Sequence, residues 1–392
     1  MAKKRNNFIE LMRFLFSILV VGYHVQKSMN EHTNQPRGIF INGALAVEFF
    51  FLLSGYFMAM SLEKMAKIEN VSIWKKWFNF MKGKIKGLIF PHLIANVLMV
   101  IILSVCYLDE LGERMLDGIL GLFLLQIAPL WTNLYEKALI VPEWYISAML
   151  LNMLFMVPIF LGFKSLLKNR ETPIVWILLG VLIIIMIIYG AITGFVFKQN
   201  FIYFLRGWAE LCVGMFSYYI TQWMKTREYN NWLTGLLELI AYAVPLIIGI
   251  LSVNNMIQYI SMGITVIFIF FGLQITFSGK GILVEKDILN KIYGILGEIS
   301  LNIYLFHPPL VDLFKKYITR NFFARFFIVF PISVILALLY KFIWDCITSK
   351  DDEKKEKQNN ISIKDKENEN ENKRKEENEN SNNNIHLQKG SE

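Results

Sequence analysis

The stretch RFLFSILVVGYH, residues 13–24, decides how the rest of the chain is interpreted. Ten uncharged residues separate an arginine from a histidine, within an apolar block (8–26) of the length that crosses a bilayer core. Ionisable groups are costly inside a membrane and usually mark function there. The stretch therefore predicts a first membrane helix that carries two candidate functional residues.

The overall composition also indicates a membrane protein. The 392 residues are 55% hydrophobic, with a mean hydropathy of +0.42, and soluble domains are usually less apolar. The net charge of +8 is interpreted as membrane topology rather than nucleic-acid binding. The three cysteines lack metal-ligand spacing, and we expect no metal. The first apolar run lacks a small-residue cleavage site, so we expect a retained span, not a signal peptide.

Apolar blocks of about 20 residues predict an all-α fold, a polytopic membrane helix bundle with about ten transmembrane helices. The blocks are 8–26, 43–62, 88–107, 144–163, 173–192, 201–222, 232–252, 256–277, 291–312 and 326–347. The apolar segment 118–128 is too short to span, and Pro129 follows it. We expect this segment to be re-entrant or interfacial.

Loop charge predicts the orientation in the cell membrane. Basic residues precede the first span, the loop 63–87 is rich in lysine, and the loop 108–117 is acidic. These features predict a multi-pass protein with both termini in the cytoplasm. One outer loop departs from the rule, because it carries four basic residues: Lys315, Lys316, Arg320 and Arg325.

The chain divides into a membrane domain, 1–348, and a charged tail, 349–392. The tail is mainly Asn, Glu and Lys, with too few apolar residues to form a core, so we expect a disordered cytoplasmic segment. The same bias, with Ile and Phe throughout the spans, indicates an AT-rich and bacterial genome.

Arg13 and His24 share one face of the first helix. Eleven residues make three turns plus about 20°, and place the two side chains roughly 16 Å apart along the axis. Taken singly, Arg13 is equally explained by snorkelling to lipid phosphates, and His24 by packing. Because they share a face, the pair predicts one polar path through the membrane.

Glu48 lies near the outer end of the second span, at the depth of His24. Its carboxylate is a candidate to orient the imidazole, and a salt bridge that only joins two helices is the alternative. Ser54 and Gly55, which follow, favour close helix packing over a nucleophilic serine.

Other polar residues lie in the later spans. Glu143 and Trp144 begin the fourth span, where the aromatic residue is equally typical of an interface anchor. Arg206 and Glu210 have the i, i+4 spacing of an ion pair, which is more often structural than catalytic. His307 precedes two prolines in the outer half of the ninth span, where a packing histidine is the alternative.

The segment KWFNFMKGKIKGLIFPH, residues 76–92, leads into the third span on the inner side. Its lysines Lys82, Lys84 and Lys86 are candidates for the phosphates of a cofactor, and lipid head groups are the alternative partners.

Together these patterns resemble the acyltransferase 3 family of integral membrane acyltransferases, over roughly residues 7–347. The R-x10-H pattern carries most of the resemblance, with VEFFFLLSGYFM (47–58), EWYIS (143–147) and ISLNIYLFHPPL (299–310). The resemblance implies an acyl-CoA donor, usually acetyl-CoA, that enters from the cytoplasm. It implies a hydroxyl of a surface glycan or its lipid-linked precursor as acceptor, and Arg13 and His24 as the functional pair.

Where the family often has an arginine-rich segment before the third span, this chain has the lysines Lys82, Lys84 and Lys86. Lysine lacks the two-pronged geometry with which arginine binds phosphate.

The resulting hypothesis is a membrane O-acetyltransferase. Arg13 holds the CoA portion, and His24 acts as general base on a sugar hydroxyl with help from Glu48. Alternatively, His24 carries the acyl group itself. A transporter or flippase of a polar solute or glycan precursor is a second hypothesis, although no inverted repeat is visible. A structural partner in the cell envelope is a third.

Overall fold

The computed structural model describes residues 6–30, 38–128, 130, 132, 138–166, 180, 199–251, 255–281, 287–318 and 321–348. All regular secondary structure within these ranges is helical, which confirms the predicted all-α class.

Eleven helices form the described part of the chain. They are α1 (Asn7–Asn30), α2 (Ala46–Ala66), α3 (Ile73–Cys106), α4 (Leu108–Asp117), α5 (Ile119–Leu122), α6 (Trp144–Leu166), α7 (Gln199–Lys225), α8 (Asn231–Ile250), α9 (Asn255–Ser278), α10 (Asp287–Tyr317) and α11 (Phe322–Thr348). Single 3-10 turns, Gly43–Leu45 and Val141–Glu143, lead into α2 and α6.

Within the described ranges, seven segments are long and apolar enough to cross a membrane, as expected of a multi-pass protein. They are Asn7–Asn30, Gly43–Ala66, Ile73–Cys106, Val141–Ser165, Asn231–Ile250, Ile260–Ser278 and Phe322–Thr348. The helices α7 and α10 are also long, at 27 and 31 residues, but are not among these seven. The predicted span 173–192 lies outside the described residues, so ten is an approximate count.

The side of α3 that faces away from the bundle is apolar and exposed. Val97, Ile101 and Val105 lie four residues apart on one face and are 60%, 54% and 74% exposed. A contiguous exposed apolar surface of this kind marks contact with a membrane or a partner.

The predicted loop 63–87 is largely helical. α2 continues to Ala66, and α3 begins at Ile73, where the Ser72 hydroxyl accepts a hydrogen bond from the Lys75 amide at 3.3 Å. The 34 residues of α3 span roughly 51 Å, against a hydrocarbon core of about 30 Å. Lysine is a good helix former, so the helix continues through the basic segment instead of beginning after it.

The segment 118–128 contains only the four-residue helix α5, followed by turns. The Ile127 amide donates to the Ser147 hydroxyl at 3.2 Å, and the Asn200 side chain donates to the Gln126 carbonyl at 3.1 Å. This confirms that the segment forms no spanning helix. These bonds join it to α6 and α7.

α2 and α7 approach each other closely through glycine. A Cβ atom added at Gly55 would overlap the Leu211 carbonyl oxygen, and one added at Gly214 would overlap the Leu52 carbonyl oxygen. This confirms the predicted close helix packing at Gly55.

The chain forms two compact units, Met1–Ala337 and Leu338–Glu392. The described part of the second unit is the end of α11, with a Lys341–Asp345 ion pair at 2.8 Å. The tail 349–392 lies outside the described residues. All candidate functional residues belong to the first unit.

Candidate active site

Two cavities open along α1 and α10. The first, of about 330 Å³, is lined by Arg13 and is called the Arg13 cavity. The second, of about 270 Å³, is lined by His24 and is called the His24 cavity. α10 lines the first with Ser300 and Tyr304 and the second with Pro308, Val311 and Asp312. Because the residues of both helices follow the same order past the cavities, α1 and α10 run in the same direction.

Arg13 and Lys84 supply the positive charge of the Arg13 cavity. Arg13 also pairs with Glu10, one turn earlier, at 2.7 Å. Lys82 and Lys86 are exposed and do not line the cavity. Residues four apart share a helix face and residues two apart do not, so only the central lysine of the three faces the bundle.

The other walls of the Arg13 cavity are aromatic and apolar. The Ser54 hydroxyl lies 3.3 Å from the Tyr145 hydroxyl, and the rings of Tyr145 and Tyr304 are 6.1 Å apart. Phe50 and Phe57 complete this side. The cavity thus combines two cations with an apolar passage.

A histidine pair lies at the His24 cavity. The ring centroids of His24 and His307 are 5.2 Å apart. The Nδ1 atom of His307 lies 3.2 Å from the Ile303 carbonyl oxygen. A carbonyl only accepts, so Nδ1 carries the proton and Nε2 keeps its lone pair. That Nε2 atom is buried and has no hydrogen-bond partner among the described residues. His307 therefore offers an unused acceptor beside His24.

Glu48 is not part of this arrangement. The structure pairs the buried Glu48 carboxylate with the Arg206 guanidinium on α7 and shows no contact with His24. The predicted Glu48–His24 contact is therefore not formed, and a role for Glu48 in the reaction stays a prediction. Phe49, the neighbour of Glu48, stacks on Phe16 at 4.3 Å, eight residues before His24 in α1, so Glu48 is not level with His24, and it faces α7 instead.

Arg206 is the centre of a buried ion cluster. Its Nε atom donates to the Glu210 carboxylate at 2.8 Å, which confirms the predicted i, i+4 pair. The Trp144 ring lies 5.6 Å from the guanidinium carbon and stacks on Tyr203 at 4.1 Å. Trp144 thus covers the cluster formed by Glu48, Arg206 and Glu210, which joins α2 to α7.

Glu143 pairs with His92, a residue that sequence reasoning missed. The Glu143 Oε1 atom lies 2.8 Å from His92 Nδ1, and His92 Nε2 lies 3.1 Å from the Leu122 carbonyl oxygen. Both side chains are buried. His92 was missed because it belongs to no recognisable motif. A signal was available, since His92 is an ionisable residue inside an apolar span and a buried carboxylate such as Glu143 needs a partner.

One hydrogen bond joins the linings of the two cavities. The Tyr304 hydroxyl donates to the Pro142 carbonyl; Tyr304 lines the Arg13 cavity and Pro142 lines the His24 cavity. No described residue lines both. Arg13 and His24 thus lie on neighbouring cavities, as their shared face predicts, but the predicted continuous path is divided into two.

A third cavity, of about 620 Å³, lies at the start of α1 and is called the Lys225 cavity. Its lining includes Lys225 and Glu10, the ion-pair partner of Arg13. Phe57 lines both this cavity and the Arg13 cavity, so the two are adjacent.

Comparison with known proteins identifies the family. No curated protein and no solved structure gives a significant match to the chain. A family model described as an acyltransferase domain matches residues 6–342, which include every residue named at the three cavities. The chain is a membrane acyltransferase and belongs to the acyltransferase 3 family.

Proposed function

We propose that this acyltransferase moves an acetyl or other short acyl group from cytosolic acyl-CoA to a hydroxyl of a cell-surface or lipid-linked glycan. The observation that carries the proposal is the order of groups along α1 and α10. Two cations line one cavity, and a histidine pair lies at the next.

The Arg13 cavity suits the acyl-bearing arm of the donor. Arg13 and Lys84 are placed to attract phosphate or the thioester carbonyl, and the aromatic wall suits an apolar chain. A whole CoA molecule is larger than this cavity. Its nucleotide end is assigned to the adjacent Lys225 cavity, on the side that loop charge predicts to be cytoplasmic.

His24 is assigned as the general base on the acceptor. Its imidazole removes the proton from the sugar hydroxyl, whose oxygen forms a bond to the thioester carbonyl carbon. The carbon–sulfur bond breaks, and the CoA thiolate takes the proton back from the imidazolium. His307 takes the orienting role that the sequence suggested for Glu48, because its Nε2 lone pair can accept a hydrogen bond from the His24 ring.

The donor must pass the contact between Tyr304 and Pro142 for this step to occur. The hydroxyl of Tyr304 joins the two linings by this hydrogen bond, so we assign the opening of the bond to donor binding. The alternative in which His24 itself carries the acyl group requires the same movement. The two routes differ in whether label is found on the protein before the glycan.

The transporter hypothesis loses its main support. It rested on buried charges, and the structure pairs Glu48 and Glu210 with Arg206, and Glu143 with His92. Such pairs join helices and give no reason to infer a path for a polar solute.

The direct test is a transfer assay in membranes that contain the protein. Labelled acetyl-CoA is added, and glycan and protein are extracted and counted separately. We expect label on the glycan that mild base releases, as an ester requires, and none in membranes that lack the protein. Membranes that neither bind acetyl-CoA nor transfer its label would contradict the proposal.

A further inference from the structure

The lining of the His24 cavity is strongly basic. Besides the histidine it contains the cations Lys27, Arg114 and Lys315 and the single carboxylate Asp312. We propose that this cavity binds an anionic group of the acceptor, so that the enzyme acts on an acidic glycan, one that carries carboxylate or phosphate. The inference rests on the proposed function, since it names the acceptor class of the same site.

The lining carries more cations than carboxylates. Arg114 contacts Asp312 at 3.2 Å and Glu110 at 2.7 Å, and Glu110 does not line the cavity. Within the lining, three cations and His24 therefore accompany one carboxylate. Lys27 is exposed at the end of α1, where its ammonium group is accessible from the cavity.

Neighbouring cations at the same end of the bundle have structural roles. Lys316 donates to the Cys106 carbonyl at 2.8 Å, at the end of α3. The buried Arg325 donates to the Ile318 carbonyl and, at 2.6 Å, to the Ser28 hydroxyl. Such bonds satisfy helix ends, whereas the lining cations border a space large enough for a ligand.

One of these lining cations, Lys315, belongs to the outer loop that departs from the charge rule. Basic residues on the outer side oppose the expected topology, so their presence there needs a reason. Lys315 belongs to that group and lines the His24 cavity. A requirement to attract an anion at the acceptor side supplies the reason.

The size of the cavity limits what it can hold. Ligand sites usually measure about 300–1,000 Å³, and this cavity is smaller, at about 270 Å³. It therefore fits one acidic unit of a longer glycan. Binding that unit to Lys27 and Lys315 would hold a hydroxyl of the same or the next sugar at His24.

A binding experiment tests the inference without a donor. The purified full chain is melted in detergent with glucose, glucuronate or glucose 6-phosphate. We expect a concentration-dependent rise in Tm with at least one acidic sugar and none with glucose, and the two acids show which anion is preferred. The variant Lys27→Gln/Lys315→Gln should lose most of the rise. The control Lys67→Gln/Lys75→Gln removes two exposed lysines elsewhere and should keep it.

Three results would overturn the inference: an equal rise with glucose, no rise with any of the three sugars, or an unchanged rise in the double variant. If the double variant fails to fold, the single Lys27→Gln change at an exposed position replaces it, with at least a threefold weaker response expected.

Kinetics distinguishes this inference from the proposed function. With labelled acetyl-CoA, Lys27→Gln/Lys315→Gln should raise the KM for an acidic glycan at least about tenfold and leave the KM for acetyl-CoA unchanged. A raised KM for acetyl-CoA would assign these lysines to the donor and refute the inference. If acidic sugars bind but acetyl-CoA labels nothing, the anion site stands and the acyl-transfer proposal falls.

Discussion

Replacing Arg206 by methionine should strongly destabilise the protein, because Arg206 is the cation that pairs with two buried carboxylates. It contacts Glu48 and, at 2.8 Å, Glu210. The side chains of Glu48 and Glu210 are 0% and 6% exposed, so water cannot replace the guanidinium. Methionine has a similar length and no charge, so the change removes the charge with little loss of packing.

The expected loss follows from the burial of both carboxylates. Removing one partner of a buried ion pair costs about 3–5 kcal/mol, since an uncompensated charge remains. Here two carboxylates lose the same partner, so we expect the upper end of that range. The triple variant Glu48→Gln/Arg206→Met/Glu210→Gln has no buried charge in the cluster and should recover most of the loss.

The assay is thermal melting of the purified full chain in detergent, with membrane abundance measured in parallel. Arg227→Met is the matched control, because Arg227 is an exposed arginine beside a tryptophan, just beyond the end of the same helix. The control should have the same Tm as the wild type. The reasoning is refuted if Arg206→Met has the same Tm as the wild type, or if the Tm of the triple variant is no higher than that of the single variant.

Three further changes test the packing and the cavities. Gly214→Ala should cost about 1–3 kcal/mol, because the added methyl group meets a backbone carbonyl of the facing helix; melting measures it, and an unchanged Tm would contradict close packing. Lys84→Gln should raise the KM for acetyl-CoA several-fold, whereas Lys82→Gln, outside the cavity, should change it less than twofold; equal effects would show that cavity lining does not matter. Glu143→Gln should cost about 1.5–3 kcal/mol, since His92 loses a charged partner, and a melting curve that matches the wild type would exclude this.

Helix periodicity predicted the local features of the site. The spacing of Arg13 and His24 placed both on the side of α1 that borders cavities, and the spacing of Arg206 and Glu210 gave their ion pair. Both inferences use only the geometry of one helix, which the sequence determines directly. Gly55 was predicted on similar grounds, since a small residue among large ones indicates close packing.

Contacts between helices were not predictable in the same way. Glu48 was predicted to lie level with His24, yet the adjacent Phe49 stacks on Phe16 and Glu48 faces α7. The pairing of His92 with Glu143 joins residues 51 positions apart, and that of Tyr304 with Pro142 joins residues 162 apart. A single sequence gives the order of groups along each helix and leaves the arrangement of the helices around the bundle open.

The basic segment before the third span was predictable only in part. Its three lysines were predicted to act as one group, but the segment is helical, so they divide between two faces. Periodicity alone would have separated Lys84 from Lys82 and Lys86 if the segment had been assigned to the helix.

The measurement that tests the account most directly compares donor binding with acyl transfer in His24→Ala. The account predicts that this variant, at normal membrane abundance, binds acetyl-CoA as the wild type does and transfers no acyl group to glycan. Arg13→Gln should instead bind the donor weakly, and His386→Ala, a matched change in the tail, should behave as the wild type. Full transfer by His24→Ala would contradict the account.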